Sequence, residues 1–138
     1  MVKNTAKAAK KGAISIKNVT KVYDPGGVNV MAVDNCSMEI AGGEVCMIVG
    51  PSGCGKTTLL NAIAGFHSIT EGSIEVDGEL LCGPTKPKAE QGADRMVVFQ
   101  HGALFPWKTL QENVAYGPTV QKAMSSGEAM DKAGQMLA

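Results

Sequence analysis

The stretch Gly50 to Leu60, GPSGCGKTTLL, follows directly on five apolar residues, Val45-Cys46-Met47-Ile48-Val49. A run that is apolar at every position fits a strand covered on both faces, as in a parallel sheet. Beyond the glycines, Leu59, Ile63 and Phe66 recur at i, i+4 and i+7 with Leu60 and Ala64 beside them, the spacing of a helix packed on that sheet. Gly65 is placed to stop it. Strand, glycine loop and helix in this order restrict the chain to an α/β fold, with the loop lying where the strand hands over to the helix.

Gly50, Gly55, Lys56 and Thr57 satisfy the P-loop pattern G-x-x-x-x-G-K-[ST]. Each residue type has a physical task. Glycines at Gly50, Gly53 and Gly55 admit positive φ and let backbone approach an anion with no Cβ between them. The amides of Pro51-flanked Ser52, Cys54 and Thr58 and their neighbours then converge on a β-phosphate, and the helix offers its positive N-terminal end to the same charge. Lys56 supplies a mobile cation for the β- and γ-phosphates, and the Thr57 hydroxyl is a hard oxygen ligand for Mg²⁺. Cys54 lies inside this cradle, where amide dipoles and Lys56 favour its thiolate.

The remainder of the chain sets boundaries. With 138 residues it is one domain's worth, and 13 basic against 13 acidic residues give no bulk attraction to nucleic acid. Residues 1–12 read as a basic, flexible leader without the apolar stretch of a secretory signal, so the protein is expected in the cytoplasm. No run approaches the ~20 apolar residues of a membrane span. Cys36, Cys46, Cys54 and Cys82 show no metal-binding spacing with His67 or His101 and read as reduced thiols, a Cys36–Cys46 bridge being conceivable only if their strands pair. Residues 13–23 and 30–40 read as strands, with Val19 and Val22 breaking strict alternation in the first. Ser73–Val76, Asp77-Gly78 and Glu79–Leu81 read as a hairpin on a type I′ turn. Gly83 to Gly92 is loop, and Arg95–Phe99 is a second apolar strand ending at Gln100. Thr109-Leu110-Gln111-Glu112 and Ser125-Ser126-Gly127-Glu128 are capping boxes that open helices.

With GPSGCGKTTLL and the later VVFQHGALFPWKTLQENVAYG, the chain resembles the ATP-binding subunits of ABC transporters over residues 13–117, and most closely their nitrate, sulfonate and taurine importer group. The resemblance implies a P-loop NTPase fold of the ABC type: an antiparallel β subdomain and an incomplete parallel core sheet over residues 13–118, then the start of a helical subdomain at 119–138. It implies ATP and Mg²⁺ as ligands. Tyr23 stands at the aromatic position that stacks on adenine, or else is a strand-end tyrosine shielding the sheet. Gln100 stands at the Q-loop position, 44 residues after Lys56, where its amide reaches Mg²⁺ or the attacking water. Leu104, Phe105, Pro106 and Trp107 fall in the region that receives a transmembrane permease subunit, although Trp107 serves equally to fill a local core. His101 reads as an exposed loop residue. The implied partners are permease subunits and a second ATPase subunit, at the inner face of the cell membrane.

Other parts of the resembled family have no match in these residues. No apolar strand ends in Asp-Glu, no LSGGQ-type segment occurs, and Ser125–Glu128 echoes it only superficially. Phosphoryl transfer depends on positioning and charge stabilisation, so the chain is expected to hold ATP without appreciable turnover. A non-catalytic nucleotide-binding module is the rival reading. The apolar Val45–Val49 strand, deprived of flanking strands, is expected to leave the product marginally stable and prone to associate.

Overall fold

Alternation in residues 13–23 builds the first strand, β1 (Ile14–Tyr23), which pairs antiparallel with β2 (Val30–Ile40) on one side and with β3 (Glu71–Val76) on the other. β4 (Glu79–Cys82) completes a four-stranded antiparallel sheet in the order β2-β1-β3-β4. The computed structural model describes residues 11–24, 26–87, 89–92 and 94–138. Most of the basic leader and Pro25 lie outside them. The chain divides into two compact units, the first running to Val97 and the second from Val98 to Ala138.

The broken alternation in β1 has a structural cause. Its register slips against β2 between Ile16 and Val19 and against β3 between Lys17 and Thr20, around Asn18, which adopts φ +51°. A bulge inserts a residue and reverses which side chains face inward. Ile14 and Ile16 therefore point to the core before the bulge and Val19 after it, and both Ile16 and Val19 are buried. Gly72 of β3 runs so close that a Cβ there would stand 2.4 Å from the Asn18 carbonyl oxygen. The β3–β4 hairpin turns on Asp77 and Gly78, with φ of +51° and +82°, as a type I′ turn requires.

Helix α1 (Lys56–Ile63) lays Leu59 and Ala62 against Ile16, Val19, Ile74, Leu81 and Cys82, forming the core of the first unit. The helix thus packs on the antiparallel sheet. Glu44–Val49 and Arg95–Phe99, read above as core strands, make no ladder among the described residues. Val45, Met47 and Val49 are 93%, 82% and 81% exposed, and Met96 is 93% exposed. A buried strand needs neighbours on both edges, and these segments have no ladder partner among the described residues. All four cysteines are unpaired; Cys36 sits opposite Val19, not opposite Cys46. Burial pushes the Cys82 thiol upward in pKa, so it behaves as a small apolar core residue.

The second unit is a pair of helices, α2 (Leu110–Val120) and α3 (Ser126–Leu137), joined through Ala115, Ala129 and Ala133. Gln111 Nε2 donates to the Met130 carbonyl at 2.9 Å across the pair. Both capping boxes form: the Thr109 and Ser125 hydroxyls accept from the Glu112 and Glu128 N–H groups, and each glutamate reaches back to the cap's own N–H. Pro118 lies inside α2 and has no N–H to donate, while the Thr119 hydroxyl donates to the Ala115 carbonyl at 2.7 Å.

Two outcomes follow. Hydrogen bonds from the Thr109 N–H and hydroxyl hold the Glu112 carboxyl below the usual glutamate range, and those from the Ser125 hydroxyl and N–H do the same for Glu128. A carboxyl whose folded pKa is depressed contributes stability above its unfolded pKa and loses it as pH falls through the folded value. Helicity measured by circular dichroism should therefore fall as acid protonates the two glutamates, and Glu112→Gln with Glu128→Gln should flatten that acid limb. Separately, the uncovered Val45–Val49 segment should make the chain bind a hydrophobic dye and sediment faster than a 138-residue monomer. Sharp monomeric sedimentation without dye binding would contradict that expectation.

Candidate functional site

The loop Gly50–Gly55 turns the chain from the uncovered segment into α1. Gly53 and Gly55 adopt φ of +81° and +91°, a left-handed conformation that other residues take only with strain. At Gly55 the demand is also steric, because a Cβ would lie 2.1 Å from the Ala32 carbonyl oxygen of β2. At Gly50 it would lie 2.8 Å from Cys54 Sγ. The glycines thus serve packing of the loop on β2 and on itself.

The three helices differ at their N-termini. Gly55 caps α1 with no side-chain hydrogen bond, and no acidic residue stands in its first turn. In α2 and α3 a glutamate and a hydroxyl satisfy those positions. The first N–H groups of α1, from Lys56, Thr57 and Thr58, therefore meet neither a capping side chain nor a carboxylate, and the helix dipole is left to attract an external anion.

Lys56 supplies the cation beside them. Its ammonium donates to the Gly50 carbonyl at 2.8 Å and the Pro51 carbonyl at 2.6 Å, and lies 3.4 Å from Cys54 Sγ. It folds over its own loop and satisfies carbonyls that a phosphate cannot, ready to exchange these for charge-assisted bonds to an anion. Ser52, Cys54 and Thr57 are exposed. No group of three His, Cys, Asp or Glu side chains that could hold a metal occurs among the described residues. A divalent ion at Thr57 would accordingly take its other ligands from phosphate oxygens and water, as Mg²⁺ does.

Tyr23 ends β1 in the same unit, half-buried, with His67 edge-on at 6.1 Å between ring centroids and the Lys21 ammonium 4.9 Å from its ring centre. Gln100 and His101 are exposed and belong to the second unit. There Phe105 packs on Tyr116 at 4.7 Å, while Trp107 touches Phe105 at 5.5 Å and stays 76% exposed, so it does not fill a local core. Asn113 clamps this aromatic loop: its Oδ1 accepts from the Phe105 N–H at 2.7 Å, and its Nδ2 donates to the carbonyls of Phe105, Lys108 and Thr109. Neither Asn113 nor His67 carries a signal in local spacing, since their partners are set by turns and tertiary packing.

A glycine loop closed by a lysine on the open N-terminus of a helix, beside a twisted sheet, is the P-loop NTPase arrangement, here with an antiparallel sheet against the helix. Comparison with known proteins places it more closely. The family model described as ABC transporter matches residues 33–138, and the chain belongs to that family. It is 43% identical over 121 residues to the taurine import ATP-binding protein TauB of Ruegeria pomeroyi, covering 86% of this chain and 42% of that protein. It is 41% identical over 124 residues to the nitrate import ATP-binding protein NrtD of Synechocystis, covering 90% of this chain and 44% of that one. Among solved structures it is similar to the dimeric ATP-binding cassette MJ0796 in a post-hydrolysis state bound to ADP and Pi, with a TM-score of 0.68, 33% identity and coverage of 88% of this chain and 54% of that one. The chain thus spans less than half the length of the curated relatives it matches.

Cys54 gives a direct test of the loop's geometry. Its exposed sulfur lies within reach of the Lys56 ammonium, so a thiol reagent there should block nucleotide, and bound nucleotide should slow the modification. Mass spectrometry of the Cys54 peptide, with and without ATP, checks both directions; equal labelling in the two samples would be the contrary result.

Proposed function

We propose that this chain holds MgATP at Gly50–Thr58 as the nucleotide-binding part of an ABC importer's ATPase subunit, and that these residues alone do not cut it. The observation that carries the reading is the contrast among helix N-termini: among the described residues α1 alone lacks a capping side chain and a carboxylate, and Lys56 in its first turn holds the Gly50 carbonyl. Phosphates take the loop and α1 amides, with Lys56 released from the Gly50 and Pro51 carbonyls to the β- and γ-oxygens. Thr57 offers its hydroxyl to Mg²⁺. Tyr23 gives its ring to the adenine, and Gln100 takes the Q-loop role that the resemblance implies.

The relatives' printed functions, taurine import and nitrate import, support a small anion as the cargo. Leu104, Phe105, Pro106 and Trp107 are the proposed contact with a permease subunit, which fits an exposed tryptophan on a loop that Asn113 holds rigid. A second ATPase subunit is the proposed dimer partner, consistent with the dimeric cassette among the structural relatives. The protein would then work on the cytoplasmic face of the membrane through these partners, and no helix among the described residues is long and apolar enough to cross one.

Equilibrium binding of ATP with and without Mg²⁺ tests the core of the reading. Lys56→Ala should weaken ATP binding at least tenfold, since a charge-assisted bond to phosphate is worth about 1.5–3 kcal/mol. Phosphate release from the unmutated chain should stay at background. Turnover that Lys56→Ala abolishes would refute the claim that these residues do not cut ATP.

A further inference from the structure

We infer that His67 is a positioning residue for the Tyr23 platform, and that α1 braces the phosphate end and the base end of the nucleotide site together. The inference rests on the reading that Tyr23 stacks on a nucleobase. His67 stands perpendicular to Tyr23, at 87° between ring planes and 6.1 Å between centroids, the edge-to-face geometry that aromatic pairs favour. Lys21, two residues earlier on β1, puts its ammonium 4.9 Å from the centre of the same ring. A cation over one face leaves the opposite face for a base, and a ring held edge-on cannot rotate freely about χ2.

The segment that carries His67 is fixed at both ends. On one side Gly65, at φ +83°, closes α1, and the Phe66 N–H donates to the Asn61 carbonyl at 2.9 Å. On the other side Thr70 is stitched to β1 beside Tyr23. Its N–H donates to the Thr20 carbonyl at 2.8 Å, and its hydroxyl accepts from the Val22 N–H at 2.9 Å and donates to the Val22 carbonyl at 3.4 Å. His67 is therefore held on a short bridge between the end of α1 and the end of β1. The opposite end of α1 carries Lys56 and Thr57. An eight-residue helix is a rod of about 12 Å, so the loop that takes phosphate and the ring that takes the base are tied to one rigid body. An open cleft of about 850 Å³, lined in part by Lys21, Phe66, His67 and Ser68, adjoins this bridge.

The chain's affinities for ATP and for inorganic tripolyphosphate, measured by titration calorimetry, separate the possible outcomes. Tripolyphosphate uses the loop and not the platform. His67→Ala should weaken ATP by about three- to tenfold, the worth of one aromatic pair, and leave tripolyphosphate unchanged. His67→Phe, which restores a ring edge, should recover ATP affinity, whereas His67→Asn should not. Tyr23→Ala should lose at least as much, and the double variant Tyr23→Ala with His67→Ala no more than Tyr23→Ala alone. If Tyr23→Ala leaves the ratio of the two affinities unaltered, the platform reading fails and this inference with it. If Tyr23→Ala lowers that ratio while His67→Ala does not, the platform stands and the role of His67 is overturned. Equal loss of both ligands in His67→Ala and His67→Asn, with a lower melting temperature, would likewise overturn it in favour of a merely structural contact.

Discussion

The contact between α1 and the antiparallel sheet is what the candidate site depends on. Leu59 and Ala62 close over Ile16, Val19 and Ile74, each buried. Full burial of one such aliphatic side chain is worth about 1.5–3 kcal/mol. The same transfer is not realised at Val45, Met47 and Val49, which enter the loop from its other side. The loop is therefore anchored asymmetrically. Its outgoing end is fixed by α1 and by Gly55 against the Ala32 carbonyl of β2, while its incoming strand has no sheet partner among the described residues. Packing of α1, rather than a ladder on Val45–Val49, is what ties the Gly50–Gly55 loop to the rest of the first unit.

The electrostatic design follows from the same helix. Three helices begin among the described residues, and two of them satisfy their first N–H groups internally through a hydroxyl and a glutamate three residues on. Such a box stabilises a helix start and at the same time removes it as an anion site, because the carboxylate already occupies the positive end of the dipole. Helix α1 forgoes that stabilisation. Its first turn bears Lys56, Thr57 and Thr58, with two hydroxyls and a cation where the others place an acid. The lysine's ammonium is held by the Gly50 and Pro51 carbonyls. The stabilising cap is thus absent at this helix start, and the burial of Leu59 and Ala62 anchors the helix instead.

What was legible in the sequence was local chemistry. The P-loop spacing, both capping boxes and the Asp77-Gly78 turn are each set by interactions within a few residues, and all appear where their patterns lie. What was not legible depended on distant partners. Val45–Val49 has the composition of a buried strand, but composition supplies no neighbour, and the segment stays outside the ladders. The irregular spacing of Val19 looked like weak alternation and is a bulge, visible only once Asn18 is set against Gly72. His67 beside Tyr23 and Asn113 beneath Phe105 are joined across 44 and 8 positions of sequence, and no periodicity links them.

This division between local and distant determinants also separates holding a nucleotide from cutting one. A cradle can be assembled from one loop, one helix start and one lysine, all within nine consecutive residues, Gly50 to Thr58. Its groups act on a ground-state anion and tolerate small displacements, because a dipole and a mobile ammonium adapt to it. Hydrolysis asks for a water placed in line and for charge stabilised as it develops, and an error of about 1 Å there costs about a hundredfold in rate. Such placement requires a rigid sheet that fixes the carboxylate-bearing strand relative to the loop. Among the described residues no ladder forms on Val45–Val49, whereas α1 on the other side of the loop is packed on the antiparallel sheet.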